Sequence, residues 1–215
     1  LDTDCGCFLG WFTTFDFTSL DFRGLVSEPG VRNGILFPER FNGHYLRFER
    51  PNNFSGPDSV KTGSAIICSR SLDLVNWDLT GEIFRGRPHY WDELIGSGPP
   101  PIRIEEGWLH IYHGVATHFA SANIYQLGVS LQDAREPWIT LARGRYNILE
   151  PRELYELIGQ VPNVVFATAA IPLRTDERGY ALPESDIYIY YGAADSCVCL
   201  AQTSPRELLE HCYAP

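Results

Sequence analysis

The chain has 215 residues and sets 17 Lys+Arg against 27 Asp+Glu, a formal charge of −10. That balance repels polyanions and argues against nucleic acid or an anionic membrane surface as a partner. No apolar run is long enough to span a bilayer and the N-terminus lacks the basic start and apolar core of a signal peptide, so the chain is read as one cytoplasmic domain.

From the N-terminus, Cys7-Phe-Leu-Gly-Trp-Phe-Thr-Thr reads as a strand and Asp16-Phe-Thr-Ser-Leu-Asp-Phe as a phrase closing a sheet. Nothing upstream supplies their partner strands, so the chain is expected to begin inside a sheet that missing sequence or another chain completes. A full plan follows: Ile35-Leu-Phe-Pro, a turn before Gly43-His-Tyr-Leu-Arg-Phe-Glu, then Ser64-Ala-Ile-Ile-Cys-Ser and the closing Ser71-Leu-Asp-Leu-Val-Asn-Trp. It recurs in Pro101-Ile-Arg-Ile, Gly107-Trp-Leu-His-Ile-Tyr-His and Tyr125-Gln-Leu-Gly-Val-Ser-Leu. A third copy runs through Val164–Ile171, Ser185–Tyr191 and Val198–Thr203, closed by Ser204-Pro-Arg-Glu-Leu-Leu. The spacing of about 65–80 residues is long for a propeller blade, and loops absorb the excess. A single sheet cannot bury both faces alone, so the units are expected to stack radially. The expected fold is an all-β propeller of about three and a half blades, at 1–28 (partial), 29–90, 91–150 and 151–215.

Within the unit at 91–150, Pro99, Pro100 and Pro101 fix φ and remove three donors, so they can line a cleft but not sit inside a ladder. Glu105-Glu106-Gly107 predicts a tight turn, and Trp108–Tyr112 a buried strand that delivers His113 to its end. A stiff wall beside a presented imidazole reads as the edge of a binding site; the bland alternative is a hairpin with a satisfied core histidine. Trp91, Asp92 and Glu93, an aromatic face and two carboxylates, stand just ahead of the wall.

The six cysteines include two C-x-C pairs, Cys5/Cys7 and Cys197/Cys199, besides Cys68 and Cys212. On a strand such pairs point to one face, which could suit a metal, yet no His stands at ligand spacing. They are read as small buried hydrophobes in a reducing compartment, with no metal or other cofactor expected.

Four ordered stretches carry a resemblance: Val31-Arg-Asn-Gly-Ile-Leu-Phe-Pro through Arg50-Pro, Gly96-Ser-Gly-Pro-Pro-Pro-Ile with Gly107–Val115, Val161-Pro-Asn-Val-Val-Phe, and Tyr190-Tyr-Gly-Ala-Ala-Asp. Together they resemble glycoside hydrolase family 130, from about Cys7 to Leu209. The resemblance implies a five-bladed β-propeller and phosphorolysis of a β-mannosyl oligosaccharide, inorganic phosphate attacking with inversion to give α-mannose 1-phosphate. It places Arg32, Asn33, Arg50, His113 and Tyr125 at phosphate-contacting positions, and Asp195 where mannose hydroxyls are held; Trp91 and Glu93 remain sugar-side candidates. Phosphate is already a nucleophilic anion and needs positioning rather than a base. Arg forks suit phosphate oxygens, and a histidine among anions is expected to favour its protonated form. The bland alternatives pair Arg32 and Arg50 with Glu39 or Glu49, and make Asp195 a turn residue.

The family's general acid lies in a Glu-Asp-Pro-Arg phrase that is nowhere in these 215 residues, so no catalytic residue is assigned and the acid is expected upstream of Leu1. Asp16 and Asp21 belong to a closing phrase at a sheet edge and are not promoted to that role; Gly34 and Ala169 depart mildly from the family pattern. Two alternatives stay open, a catalytically incomplete chain that binds sugar or phosphate and a hydrolytic β-mannosidase. A homo-oligomer is also open, since multimers are frequent in the family.

Overall fold

In the computed structural model, which describes residues 1–4, 6–52, 63–117 and 123–215, alternating apolar positions become antiparallel meanders. Two short ribbons come first, β1 (Asp2–Thr3) with β2 (Gly6–Cys7) and β3 (Gly10–Thr13) with β4 (Asp21–Leu25). β5 (Val31–Leu36), β6 (Tyr45–Pro51), β7 (Ala65–Ser71) and β8 (Asp78–Arg85) form a sheet in chain order. The next sheet contains β9 (Leu94–Ser97), β10 (Ile102–Arg103), β11 (Trp108–Ala116), β12 (Ile124–Gln132) and β13 (Thr140–Arg143). A short helix, α1 (Leu154–Leu157), leads to β14 (Val165–Pro172), β15 (Ile187–Ala193) and β16 (Cys197–Thr203), and α2 (Pro205–Tyr213) follows.

The middle sheet is buried on both faces, and β11 shows how. Leu109 and Ile111 join a core with Val165, Ile187 and Ile189 of the last sheet, while Trp108 and Tyr112 join one with Phe37, Phe48 and Ile66 of the preceding sheet. Successive strand residues point to opposite faces, so one strand serves both cores. At about 1.5–3 kcal/mol per fully buried large apolar side chain, these interfaces dominate the packing energy.

The prolines interrupt the edge of that sheet. β9 and β10 both pair with β11, at Ser97 opposite Tyr112 and Ile102 opposite Leu109, and Pro99–Pro101 occupy the gap where donors are not needed. β11 does not end near His113, contrary to the sequence reading: Gly114, Val115 and Ala116 continue in register with Gln126, Tyr125 and Ile124. His113 is therefore a mid-strand residue locked on both sides.

The closing phrases also differ from each other. After Ser71, the Asp73 carboxylate accepts the backbone N–H groups of Val75 and Asn76 and shapes a turn into β8. Asp16 does the same between β3 and β4 with Thr18 and Ser19, which holds its carboxyl far below the usual carboxylate range. Ser204, in contrast, caps α2 through a reciprocal pair with Glu207, with Pro205 in the first turn. Among the described residues no helix is long and apolar enough to cross a membrane. The cysteines divide: Cys7, Cys68 and Cys212 are buried, but Cys197 is exposed and Cys199 half-buried because β16 is an outer strand; Cys5 lies outside the described residues.

Candidate functional site

A bulge in the β5–β6 ladder begins the site. Arg32 stands opposite Arg50 and Ile35 opposite Phe48, so Asn33 and Gly34 together face only Glu49. The extra residue bends the strand, and Asn33 takes a left-handed conformation (φ 53°) that asparagine tolerates better than most residues. Its side-chain oxygen is thereby aimed at Gly96 of β9: a Cβ there would fall 3.0 Å from Asn33 Oδ1 and 2.4 Å from His113 Cε1. The missing side chain at Gly96 is what lets these groups from neighbouring sheets meet.

They line a cleft of about 370 Å³ that brings together Arg32, Asn33, Arg50, His113, Tyr125 and Phe166. All the residues assigned to phosphate from sequence share it. His113 is 1% exposed, its ring 4.5 Å from that of Phe166 and 6.2 Å from that of Tyr125. Among the described residues, neither His113 ring nitrogen nor Nε of Arg50 has a well-formed hydrogen bond; the His113 ring makes only a weak polar contact with the Ser97 backbone. Buried polar groups are ordinarily satisfied, so these atoms mark a place built for an acceptor-rich guest.

The electrostatics correct one expectation. Burial, then Arg50 and His110, push His113 down to about 3, which favours its neutral form. Burial also lowers Arg50, with Arg32 adding to the effect. The pairing of Arg50 with Glu49 does not occur: Glu49 accepts from Ser69 Oγ at 2.6 Å and pairs with Arg47 Nε at 2.6 Å, on the opposite face of β6.

Other candidates lie elsewhere. Pro100 and Pro101 line a separate cleft with Pro38 and Pro172, so the proline wall is not the wall of the His113 cleft. Trp91 stacks on Tyr112 at 5.9 Å, donates its indole N–H to the Arg145 carbonyl at 2.9 Å, and covers Gly114 and Gly128. Asp92 is fully buried, accepting from Arg87 and Arg143 and from the Tyr112 hydroxyl at 3.0 Å. Glu93 is 9% exposed and accepts from Thr117 Oγ1. Asp195 is exposed in the left-handed turn between β15 and β16 (φ 50°). It does not line the cleft but sits at the same end of the sheets: the neighbouring Ala194 N–H donates to the Val164 carbonyl at 2.9 Å, and Val164 bridges to Tyr125.

Sequence reasoning passed over Phe166 and Gly96 as members of the site. Phe166 ends the quoted Val161–Phe166 stretch, where an aromatic residue reads as core; only its tilted ring contact with a histidine from another sheet reveals the role.

Comparison with known proteins places the chain in a family. The family model of glycoside hydrolase family 130, described as beta-1,4-mannooligosaccharide phosphorylase, matches residues 16–214. The beta-1,4-mannooligosaccharide phosphorylase of Ruminococcus albus is 34% identical over 205 residues, covering 94% of this chain and 57% of the relative. A beta-1,2-mannobiose phosphorylase of Listeria innocua is 34% identical over 200 residues, covering 92% and 50%. The structure of a beta-1,2-mannobiose phosphorylase from Listeria innocua in complex with beta-1,2-mannobiose superposes with a TM-score of 0.80 at 32% identity, over 96% of this chain and 54% of the other. The chain thus spans about half the length of the curated relatives it matches.

Proposed function

This chain belongs to glycoside hydrolase family 130, and we propose that it forms the anion-binding part of an inverting phosphorylase that cleaves β-mannosides with inorganic phosphate. The product is α-mannose 1-phosphate, and no cofactor is required. The observation that carries this reading is the convergence of Arg32, Asn33, Arg50, His113 and Tyr125 on one cleft, where the His113 ring nitrogens and Arg50 Nε have no well-formed hydrogen bond among the described residues.

In an acidic chain, two guanidinium groups held opposite each other supply charge and a fork of donors for phosphate oxygens. Asn33 adds an amide from the bulge, Tyr125 a hydroxyl, and His113 a buried nitrogen that can donate. Fixed donors of this kind hold a nucleophilic oxygen toward an anomeric carbon, which supplies the positioning that inverting attack demands. Asp195, at the same end of the sheets, is assigned to mannose hydroxyls. A proton for the leaving sugar oxygen belongs to the whole protein; the phrase that carries the acid in this family is absent from these 215 residues. The all-β sheets are read as blades of the family's five-bladed propeller, three and a half of them within this chain.

Two measurements test the proposal. Titrating the chain with inorganic phosphate is expected to give saturable binding that is lost when Arg50 is replaced. Incubating the whole protein with β-mannosyl disaccharides is expected to release mannose 1-phosphate only when phosphate is present. Phosphate-independent release of free mannose would replace phosphorolysis with hydrolysis.

A further inference from the structure

His110 lies on the face of β11 that carries Trp108 and Tyr112, so it points away from the anion cleft. Its buried ring sits 5.0 Å from that of Phe48 and 6.1 Å from that of Phe84, a place an aliphatic side chain would fill. Instead both ring nitrogens have partners: Nε2 is 3.1 Å from Ser97 Oγ and Nδ1 is 3.4 Å from Ser130 Oγ. Behind Ser130 the line continues, the Gln132 amide donating to Ser130 Oγ at 2.8 Å and the Thr140 hydroxyl to Gln132 Oε1 at 2.8 Å. Ser97, His110, Ser130 and Gln132 are all buried. Burying polar groups costs free energy that hydrogen bonding only recovers, and apolar side chains of the same shape would pack here about as well. Stability alone does not account for this line.

Its end point does. Ser97 stands opposite Tyr112, which makes His110 its diagonal neighbour across the ladder, and Gly96 beside it stands opposite His113. The Ser97 hydroxyl thus meets His110 on one face of the sheet, while the Ser97 backbone touches the His113 ring that faces the cleft. We infer that His110 is a positioning residue for the anion cleft: through the Ser97 hydroxyl it fixes β9 where Gly96 leaves room for His113 and Asn33. This rests on the reading of the cleft as a phosphate site. The donors can run one way along the line, from Thr140 through Gln132 and Ser130 to His110 Nδ1, so that His110 gives its Nε2–H to Ser97. A side chain at 110 without that N–H leaves the Ser97 hydroxyl unheld and β9 free to settle elsewhere against β11.

Calorimetric titration of the chain with inorganic phosphate tests this. His110→Leu removes the N–H and should weaken phosphate binding about threefold or more, whereas His110→Gln, which offers an amide N–H at similar reach, should bind nearly as the wild type does. Ser97→Ala should match His110→Leu, and the two combined should lose no more than either alone, since both act through one hydrogen bond. Cys212→Ala, a cavity in the core beneath α2, should lower the unfolding midpoint and leave phosphate affinity unchanged, which separates positioning from general stability. In phosphate-free buffer the His113 ring nitrogen resonances should move in His110→Leu and stay in His110→Gln. Equal phosphate affinity of the Leu and Gln variants, or additive losses in the double variant, overturns the inference alone. A wild-type chain that does not bind phosphate overturns the phosphate reading and this inference with it.

Discussion

Arg32 and Arg50 stand directly opposite each other across the β5–β6 ladder, the last pair before the Asn33 bulge. Like charges so placed destabilise a sheet by about 0.2–1 kcal/mol, and a shared anion reverses the sign. In phosphate-free buffer, Arg50→Gln should therefore melt no lower than the wild type. Phosphate should stabilise only the wild type, by about 2.7 kcal/mol at a hundred times its dissociation constant. Differential scanning fluorimetry across a phosphate series reads both effects; an Arg50→Gln protein still stabilised by phosphate as strongly as the wild type would count against the site.

Gly96 leaves the space in which His113 and Asn33 meet. A methyl group there would lie 2.4 Å from the His113 ring and 3.0 Å from Asn33 Oδ1, so one of them must move. Gly96→Ala should cost about 1–3 kcal/mol in denaturant unfolding and weaken phosphate binding at least as much as Asn33→Ala. Unchanged binding would show that Asn33 and His113 need not share this space.

Acid should weaken the fold through its buried histidines. His113 and His110 are both pushed down to about 3, chiefly by burial. The unfolded chain takes up protons below the ordinary histidine value near 6.5 while the folded chain does not. Stability should accordingly fall as pH drops from about 6.5 toward 3, by roughly 1 kcal/mol per pH unit for each histidine. Bound phosphate favours the imidazolium of His113, so saturating phosphate should flatten the slope. His113→Asn should flatten it without phosphate, and a wild-type melting temperature independent of pH across 7 to 5 would refute the account.

Adjacent in composition but not in role, Asp92 and Asp195 separate two kinds of carboxylate. Asp92 is buried between Arg87 and Arg143, and removing one partner of a buried ion network typically costs about 3–5 kcal/mol. Asp92→Asn should show that loss in chemical denaturation. Asp195→Asn, at an exposed turn, should leave stability unchanged while reducing turnover of β-mannosides by the whole protein; equal unfolding midpoints for the two variants would contradict this assignment.

Arg32, Asn33, Arg50, His113 and Tyr125 were brought to one site by the resemblance to family 130, since an arginine fork or a strand histidine fits many surroundings, and all five line the cleft. What misled was local. Trp108–Tyr112 has the alternation of a short strand, and nothing nearby signals that Gly114–Ala116 continue it by pairing with residues 124–126. Trp91 and Asp92 have the composition of a sugar platform, but Tyr112, Arg143 and Arg145, distant in sequence, claim them for packing.

Alone, the sequence determined an acidic, all-β chain of recurring antiparallel units, since side-chain alternation and turn chemistry act over a handful of residues. Only the tertiary structure decided which cations face one another, that burial favours the neutral form of His113, and that Pro100 and Pro101 wall a different cavity. Those outcomes depend on desolvation and on distances between sheets, and spacing along the chain carries neither.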